Sequence, residues 1–201
     1  MGETEDKQIQ EIVHRVVSRA MGLAPTKDIP EPAPAQDPAG QPSPIQPAAP
    51  VAKVVSIGAD HGGYELKEVL KVEIAGLGYQ VRDVGTNSKE AVDYPDFAHQ
   101  VARLVGTGEA WRGIVIDGAG IGSCIVANKV PGVRAGMAYD YSSAVNSREH
   151  NDTNVLTLGA GLIGVNLAKQ IVRVWLTTEF GGGRHVQRLE KIKAAEKLHL
   201  K

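Results

Sequence analysis

The stretch Ile114-Val-Ile-Asp-Gly-Ala-Gly-Ile-Gly-Ser123 joins an apolar strand directly to a glycine-rich turn. Gly118, Gly120 and Gly122, at two-residue spacing, let the backbone turn tightly and aim several N–H groups at one point. Asp117 ends the strand, where open α/β sheets carry their chemistry. The stretch therefore predicts an anion cradle beside a carboxylate, or else an ordinary strand-to-helix turn with a solvated Asp.

Short apolar segments alternate with helical patterns on both sides of this stretch. Strands are predicted at 53–58, 79–84, 113–116, 133–138 and 154–158, and helices at 64–77, 94–105, 121–129, 142–149 and 163–178. Strands that are apolar on both faces and separated by helices indicate a parallel sheet covered on both sides. The sequence predicts an α/β fold: a single doubly wound, Rossmann-like domain over residues 51–201, with five parallel strands and flanking helices.

Two segments that precede this domain differ from it in composition. Residues 1–22 carry an apolar stripe at helical spacing, formed by Ile9, Ile12, Val13, Val16, Val17 and Met21. Residues 23–50 hold nine of the 11 prolines, which predicts a disordered Pro/Ala-rich linker. We favour an isolated amphipathic helix that docks in a partner's groove. A helix that folds back on the body or pairs with its own copy is the alternative.

Composition and charge exclude several classes of function. The net charge is −1, from 22 basic and 23 acidic residues, which gives no electrostatic case for nucleic acid or an anionic membrane. The single Cys124 allows no internal disulfide and fits a reducing compartment. No apolar run approaches the roughly 20 residues that span a bilayer. We therefore expect a soluble, cytoplasmic protein.

A second glycine-rich turn, at 58–63, carries Asp60 and His61 at the end of the first predicted strand. Because the carboxyl ends of parallel strands share one edge of a sheet, these side chains should converge with Asp117 and the glycine turn. The alternative is structural, since Asp is a common N-cap and Asp60 could simply begin the next helix.

Further candidate residues come later in the chain. His150 ends the fourth predicted helix, where it could equally be a surface residue. Arg184 and Arg188 stand one helical turn apart after three glycines, at 181–183, and together can bind one phosphate. They could instead belong to a solvated basic face. A helix that leaves the body after such a hinge commonly reaches a neighbouring subunit, so we expect a homo-oligomer.

Two other kinds of site find little support. Gly118-x-Gly120 opens a helix and Asp140 lies about twenty residues further on, as in dinucleotide-binding proteins, but Ser123 stands where a third Gly or Ala belongs. No pair of His, Asp or Glu residues has a convincing ligand spacing for zinc. We therefore expect no cofactor and no metal.

Six motifs follow one another over residues 53–195. They are Gly58-Ala-Asp-His-Gly-Gly63, Asp93-Tyr-Pro95, Gly118-Ala-Gly-Ile-Gly122, Ala127-Asn-Lys-Val-Pro-Gly132, Ser147-Arg-Glu-His-Asn-Asp-Thr-Asn-Val155 and Gly182-Gly-Arg-His-x-x-Arg188. Together they resemble the family of type B ribose-5-phosphate isomerases and galactose-6-phosphate isomerase subunits. The resemblance implies a cofactor-free enzyme that converts an aldose phosphate, most simply ribose 5-phosphate, into its ketose through an enediolate. It also implies a homodimer, or a tetramer, whose active sites are each built from two chains.

By position, the resemblance assigns a role to each candidate residue. Gly118, Gly120 and Gly122 would form an oxyanion cradle, with Ser123 beside it, and His150 of the partner chain would open the sugar ring. The residues that would bind the sugar hydroxyls or the phosphate are Asp60, His61, Tyr94, Asn128, Asn151, Arg184 and Arg188.

Three positions depart from the family pattern. One branch has a catalytic Cys where this chain has Asp117, and another has a Glu where it has Ser123. Cys124 is one residue further on, which turns a side chain by about 100° around a helix. We therefore predict Asp117 as the base, because a carboxylate desolvated beside a pocket can accept a proton near neutral pH. Gly161 replaces a phosphate-binding arginine, which leaves a shorter or differently phosphorylated sugar open.

The N-terminal helix and linker are foreign to that family. They look like the encapsulation peptides that carry enzymes into bacterial microcompartments, and they imply a shell or cargo protein as partner of residues 1–22. The implied location is a microcompartment in a bacterial cytoplasm. The competing functions are a sugar-phosphate-binding or assembly subunit without catalysis, and a nucleotide-dependent enzyme.

Overall fold

A computed structural model describes residues 53–199, and the predicted targeting helix at 1–22 and linker at 23–50 lie outside the described residues. Five strands form one sheet: β1 (Val54–Ala59), β2 (Gln80–Asp83), β3 (Arg112–Asp117), β4 (Ala135–Met137) and β5 (Val155–Gly159). All neighbouring strands are parallel, in the order β2-β1-β3-β5-β4. The predicted five-stranded parallel sheet is confirmed.

Six helices connect and cover the strands: α1 (Tyr64–Gly76), α2 (Tyr94–Gly106), α3 (Ile121–Ala127), α4 (Tyr141–Glu149), α5 (Val165–Thr177) and α6 (Arg184–His199). α1, α4 and α5 contribute to the core on one face of the sheet, and α2 and α3 to the core on the other. The fold is therefore doubly wound, as the alternating pattern predicts. None of the helices within residues 53–199 has the length and hydropathy of a membrane span.

The central strands are buried on both faces because their side chains alternate between the two cores. In β3, Ile114 and Ile116 belong to the core under α1 and α5, and Val115 to the core under α2. Gly113 allows the close approach of α2, since a Cβ there would lie 2.5 Å from a methyl group of Val101. Both faces of β3 are thereby closed to water.

Because the strands are parallel, their carboxyl ends all lie along one side of the sheet, here called the carboxyl edge, and their amino ends lie along the opposite side, the amino edge. The carboxyl ends of β1 and β3, which pair directly, lead into the turns at 60–63 and 118–120. Each connecting helix then runs back, so α4 ends at the opposite edge, close to the start of β5. The two edges are separated by the length of β3, about 20 Å for six residues.

Two buried arginines close the C-terminal end of α5 at the amino edge. Arg112 donates to the carbonyl oxygens of Trp175 and Leu176 at 2.6 and 3.0 Å, and Arg148 donates to that of Thr178 at 3.2 Å. Burial, and then the charge of Arg148, lower the pKa of Arg112 to about 10, so its guanidinium stays charged at neutral pH. These bonds satisfy carbonyl groups that a helix end leaves open and fix α4 against α5.

Candidate active site

The turns at 60–63 and 118–122 lie side by side at the carboxyl edge. The amide of Asp60 donates to the carbonyl oxygen of Ile116 at 3.2 Å, and a Cβ at Gly62 would lie 3.9 Å from the amide nitrogen of Gly118. Asp60 and Asp117 are 9% and 5% exposed. The structure thus brings two nearly buried carboxylates to one place, as the strand order requires.

The three glycines of the cradle each meet a different constraint. Gly120 has a φ of +79°, in the left-handed region that favours glycine. A Cβ at Gly122 would lie 2.5 to 2.6 Å from three atoms of Tyr94, so the phenol packs directly on the backbone. Among residues 53–199, nothing lies within 4 Å of a Cβ built at Gly118. Gly118 therefore borders the open space of the cleft.

Asp117 is the acceptor that holds this turn in shape. Its Oδ1 accepts hydrogen bonds from the amides of Ala119, at 2.8 Å, and Gly120. Its Oδ2 accepts from the amide of Ser123, at 3.1 Å, and from the Ser123 hydroxyl. A carboxylate has about four lone-pair sites, and these donors use them all. The carboxylate is therefore the internal anion of the cradle, and the role of Asp117 as the base stays a prediction.

Three backbone N–H groups of the cradle have no acceptor within residues 53–199 and can donate to a ligand. No group within residues 53–199 accepts a hydrogen bond from the backbone N–H of Gly118, Ile121 or Gly122. Preorganised N–H groups of this kind stabilise a negative charge that develops on a bound oxygen. The cradle can therefore hold a second oxyanion beside the Asp117 carboxylate.

His61 and Tyr94 form the rim of the cleft. Nδ1 of His61 lies 3.2 Å from both the amide nitrogen and the carbonyl oxygen of Val92, which ties the segment before α2 to the first turn. Tyr94 begins α2, and its ring is partly exposed above Gly122. Both side chains are thus positioned by neighbouring backbone and still reach solvent.

His150 lies at the opposite edge of the sheet, as the C-cap of α4. Its Nδ1 is 2.8 Å from Nδ2 of Asn146, and its ring stacks on that of His185, with centroids 4.1 Å apart and an angle of 11° between the planes. Arg184 and Arg188 begin α6 at the same place, and both are exposed. An imidazole pair and two guanidinium groups therefore share this edge.

The turn that follows His150 is fixed by ion pairs. Asp152 has a φ of +45°, which residues other than glycine rarely adopt, and its carboxylate pairs with Arg134 and Arg148, each at 2.8 Å. Arg148 is 3% exposed and also donates to the carbonyl oxygen of Thr153. These residues hold the backbone of the motif and leave His150 and Asn151 available to a ligand.

The predicted site residues therefore form two groups that one chain does not bring together. The carboxyl-edge group consists of Asp60, His61, Tyr94, Gly118, Gly120, Gly122, Asp117 and Ser123, and the amino-edge group consists of His150, Asn151, Arg184 and Arg188. The two groups are about 20 Å apart along β3.

Asn128 belongs to neither group, and its predicted role in substrate binding stays a prediction. Its amide nitrogen donates to the carbonyl oxygens of Cys124 and Ala135, both at 3.0 Å, and its amide oxygen accepts from the amide of Ala135 at 2.9 Å. It caps α3 at the end remote from the cradle. The side chain of Asn128 therefore joins α3 to β4.

The structure also describes Cys124, the residue after Ser123, and Gly161, which replaces the arginine of the family pattern. The Cys124 sulfur lies 3.6 Å from the carbonyl oxygen of Ala135, and burial raises the pKa of its thiol, so it is no substitute for a reactive thiolate. Gly161 donates to the carbonyl oxygen of Gly118 at 3.0 Å, and a Cβ at Gly161 would lie 3.0 Å from that oxygen. A larger residue there would press on the cradle.

A groove of about 810 Å³ runs along β4 between α4 and α6. Glu196 of α6 accepts a hydrogen bond from the amide of Gly132 at 3.0 Å, which holds the far part of this helix near its own chain. Asn146 and Asn151 line the groove, so it adjoins the amino-edge group and not the cradle. In the part of the chain that the structure describes, no three His, Cys, Asp or Glu residues converge as metal ligands would.

A doubly wound sheet with acidic side chains and an amide-lined turn at its carboxyl edge is typical of the class of α/β proteins that bind a ligand at the carboxyl ends of their strands. Residues 55–192 match the family model described as Ribose/Galactose Isomerase, and the chain belongs to this family of sugar-phosphate isomerases.

Relatives extend this match over nearly their whole length. Ribose-5-phosphate isomerase B of Escherichia coli is 46% identical over 144 residues, which cover 72% of this chain and 97% of that protein. D-erythrulose-4-phosphate isomerase of Pectobacterium atrosepticum is 41% identical over 139 residues, 69% of this chain and 91% of that one. The structure of Clostridium thermocellum ribose-5-phosphate isomerase B matches with a TM-score of 0.71 and 50% identity, over 73% of this chain and 99% of that chain. The resemblance seen in the motifs is confirmed, and the protein is an aldose–ketose isomerase.

Proposed function

We propose that this protein converts ribose 5-phosphate to ribulose 5-phosphate through an enediolate. The supporting observation is the cradle: the free N–H groups of Gly118, Ile121 and Gly122 lie beside the carboxylates of Asp60 and Asp117. Formation of an enediolate needs such donors for its oxygen and a base to carry its proton, a role that a carboxylate can fill. A relative named for D-erythrulose 4-phosphate makes the four-carbon sugar phosphate the second substrate to test.

The proton that moves between C1 and C2 needs a base, for which we propose Asp117. Asp117 and Ser123 occupy the positions at which the two branches of the family carry their bases, and here the two side chains are hydrogen-bonded to each other. The two positions that carry the base in the two branches of the family are therefore in direct contact in this chain. To act there, Asp117 must release one of its four donors, and the Ser123 hydroxyl is the only one that rotates.

Asp60 is the competing base. Its Oδ1 accepts from the amide of Gly63 at 2.9 Å, whereas no group within residues 53–199 bonds to its Oδ2. Deuterium exchange from solvent into C1 of ribulose 5-phosphate separates the two carboxylates. Loss of exchange in Asp117→Asn with exchange retained in Asp60→Asn supports Asp117, and the reverse result assigns the base to Asp60.

We also propose that a second copy of the chain completes each site. The support is the distance of about 20 Å between the two groups of residues within one chain. Exposed apolar residues border both groups: Ile121 and Ile125 of α3 lie beside the cradle, and Val186 and Ile192 of α6 lie beside the arginines. A twofold dimer that covers these side chains would place His150 of one copy over the cradle of the other. Arg184 and Arg188 would then bind the phosphate.

Mixed dimers test the shared site directly. Asp117→Asn disables the carboxyl-edge group and His150→Asn disables the amino-edge group, so each variant alone should be nearly inactive. After the two are unfolded and refolded together, each mixed dimer has one intact site, and about a quarter of the wild-type activity should return. If mass spectrometry shows mixed dimers and no activity returns, the shared site is wrong.

The closed hydrogen bonding of Asp117 favours one other function, a subunit that binds a sugar phosphate without converting it. Calorimetric binding of ribose 5-phosphate and deuterium exchange on the wild-type protein distinguish the two. Binding with exchange supports the isomerase, and binding without exchange supports the subunit.

For residues 1–22, we propose targeting to a bacterial microcompartment. The support is the apolar helical stripe followed by the proline-rich linker. Deletion of residues 1–22 should leave kcat and KM unchanged and abolish co-purification with microcompartment shells. Unchanged association with shells would contradict the proposal.

A further inference from the structure

His185, in the first turn of α6, packs against the imidazole of His150. The two rings are stacked with centroids 4.1 Å apart. His185 is 9% exposed, and among the residues of α6 only it and Leu189 are buried. The imidazole pair is therefore one of the contacts between the start of α6 and the end of α4.

The surroundings of His185 favour its neutral form. Burial lowers its pKa, and the nearby charges of His150, Arg184 and Arg188 lower it further, against the opposing charge of Glu149. Arg188 lies with Nη1 3.5 Å from Nδ1 of His185, and a guanidinium can only donate. Nδ1 of His185 is thus an acceptor, and its single proton belongs on Nε2.

The second contact of His150 complements this stacking. The amide nitrogen of Asn146, one helical turn earlier, lies 2.8 Å from Nδ1 of His150. Nε2 of His150 can accept a proton only when the ring's own proton is on Nδ1, and the carboxamide of Asn146, turned so that its oxygen faces the ring, then accepts from Nδ1–H. Asn146 therefore contacts a ring nitrogen of His150, and His185 contacts the face of the ring.

We propose that His185 is a positioning residue for His150, a neutral platform that keeps this imidazole in the orientation needed to open the sugar ring. The inference rests on the proposed isomerase function. In ring opening, the C1 hydroxyl loses its proton, the C1=O bond forms, the bond from C1 to the ring oxygen breaks, and the ring oxygen gains a proton. His150 would transfer these protons and so alternate between neutral and charged forms. A neutral aromatic face beneath it tolerates the charged form, whereas a cation there would oppose it.

Two substrates separate ring opening from the later proton transfer at carbon. Ribose 5-phosphate is mostly cyclic, whereas ribulose 5-phosphate has its 5-hydroxyl phosphorylated and has no furanose ring to open. In His185→Ala, conversion of ribose 5-phosphate should fall by about tenfold or more, because small displacements of a catalytic group have effects of this size. Deuterium exchange into C1 of ribulose 5-phosphate should stay within about twofold of wild type.

Matched variants define the cause of any loss. His185→Phe keeps a flat neutral ring and should retain conversion of ribose 5-phosphate within about threefold. His99→Ala, which removes an exposed imidazole on α2, should change neither reaction. If His185→Ala does not fold by circular dichroism, His185→Gln, which fills part of the volume without a ring, takes its place.

Several outcomes overturn the inference. Equal losses in both reactions would mean that His185 supports the whole fold or site, and unchanged conversion of ribose 5-phosphate would mean that it supports neither. Loss in His185→Phe as large as in His185→Ala would contradict the role of the ring face. Failure of the wild-type protein to catalyse either reaction would instead contradict the proposed isomerase function.

Discussion

The carboxyl edge and the amino edge of one sheet carry the two groups of site residues in opposite ways. At the carboxyl edge the donors are backbone amides, and Asp117 arranges them by accepting four hydrogen bonds. At the amino edge the groups are side chains, stacked as His150 on His185 or exposed as Arg184 and Arg188. The carboxyl-edge group therefore offers backbone N–H donors but few polar side chains that are free to react. The amino-edge group offers polar side chains but no set of backbone donors, so each group lacks what the other supplies.

The largest expected effect comes from the residue that organises the carboxyl edge. Asp117→Asn replaces an acceptor oxygen by an NH₂ group that faces backbone N–H donors, so it should disrupt the cradle as well as remove the proposed base. We expect kcat to fall by about 1,000-fold or more. We also expect a lower Tm by calorimetry.

Ser123→Ala is the matched control for Asp117→Asn. It removes only the hydroxyl donor and keeps the amide bonds to Asp117, so we expect kcat within about fivefold of wild type. Wild-type kcat and Tm in Asp117→Asn would contradict the view that this edge is organised by its carboxylate.

The next prediction tests how closely the side chain of Tyr94 packs on the backbone of Gly122. Gly122→Ala would place a methyl group within 2.6 Å of the Tyr94 hydroxyl, so the phenol must move. We expect kcat/KM for ribose 5-phosphate to fall by about 100-fold. In a Tyr94→Ala background the same substitution should cost little, since the clash is gone. Additive losses in the double mutant would show that Gly122 matters for another reason.

The amino edge should respond more weakly, because its support comes from several side chains. Asp152→Asn weakens ion pairs with Arg134 and Arg148 and should cost about 2 kcal/mol in the free energy of unfolding, measured with urea. Activity should fall with ribose 5-phosphate as substrate, since His150 precedes this turn. Glycine suits the φ of +45°, so Asp152→Gly relieves backbone strain. It also removes the ion pairs, so this variant should still be less stable than the wild type. Full stability in either variant would contradict the role of Asp152.

The fold could be predicted because its signals are local. The apolar run at 113–116 became β3 at Arg112–Asp117, and the glycine turn after it begins α3 as expected. The hydrogen bonds of Asp117 and Asn128 could not be predicted in the same way. The saturation of Asp117 depends on a left-handed Gly120 that folds three amides onto one carboxylate. A resemblance carries residue identities between proteins, but it does not say which lone pairs are already used.

The pair of His150 and His185 could not be predicted for a different reason. The two residues are 35 positions apart, and the sequence offers only a His in each of two family motifs. Their contact depends on the hinge at 181–183, where the amide of Gly181 donates to the carbonyl oxygen of Glu149 at 3.0 Å. Local patterns do not report such long-range contacts. The stacking exists only because α6 lies against α4.

The smallest expected effect concerns stability in acid at the outer end of the carboxyl edge. Burial by itself would raise the pKa of Asp83, but hydrogen bonds from Lys67 and Lys71, and from the amide of Gly85, lower it below its ordinary value. Because the folded protein then holds this proton less tightly than the unfolded chain, Asp83 stabilises the fold above about pH 4. That contribution is lost as the pH falls through the lowered pKa.

The acid effect should be measurable by comparing two carboxylates. Urea unfolding between pH 2 and 7 should show a wild-type advantage over Asp83→Asn that is constant near neutral pH and shrinks below about pH 4. Asp96→Asn, at an exposed carboxylate in the first turn of α2, should change stability by less than about 0.5 kcal/mol throughout. Since Lys67 is fully buried but keeps Glu68 as a second ion-pair partner, the advantage at neutral pH should be about 1 kcal/mol. An advantage that persists at pH 2 would mean that Asp83 acts through packing and not through its charge.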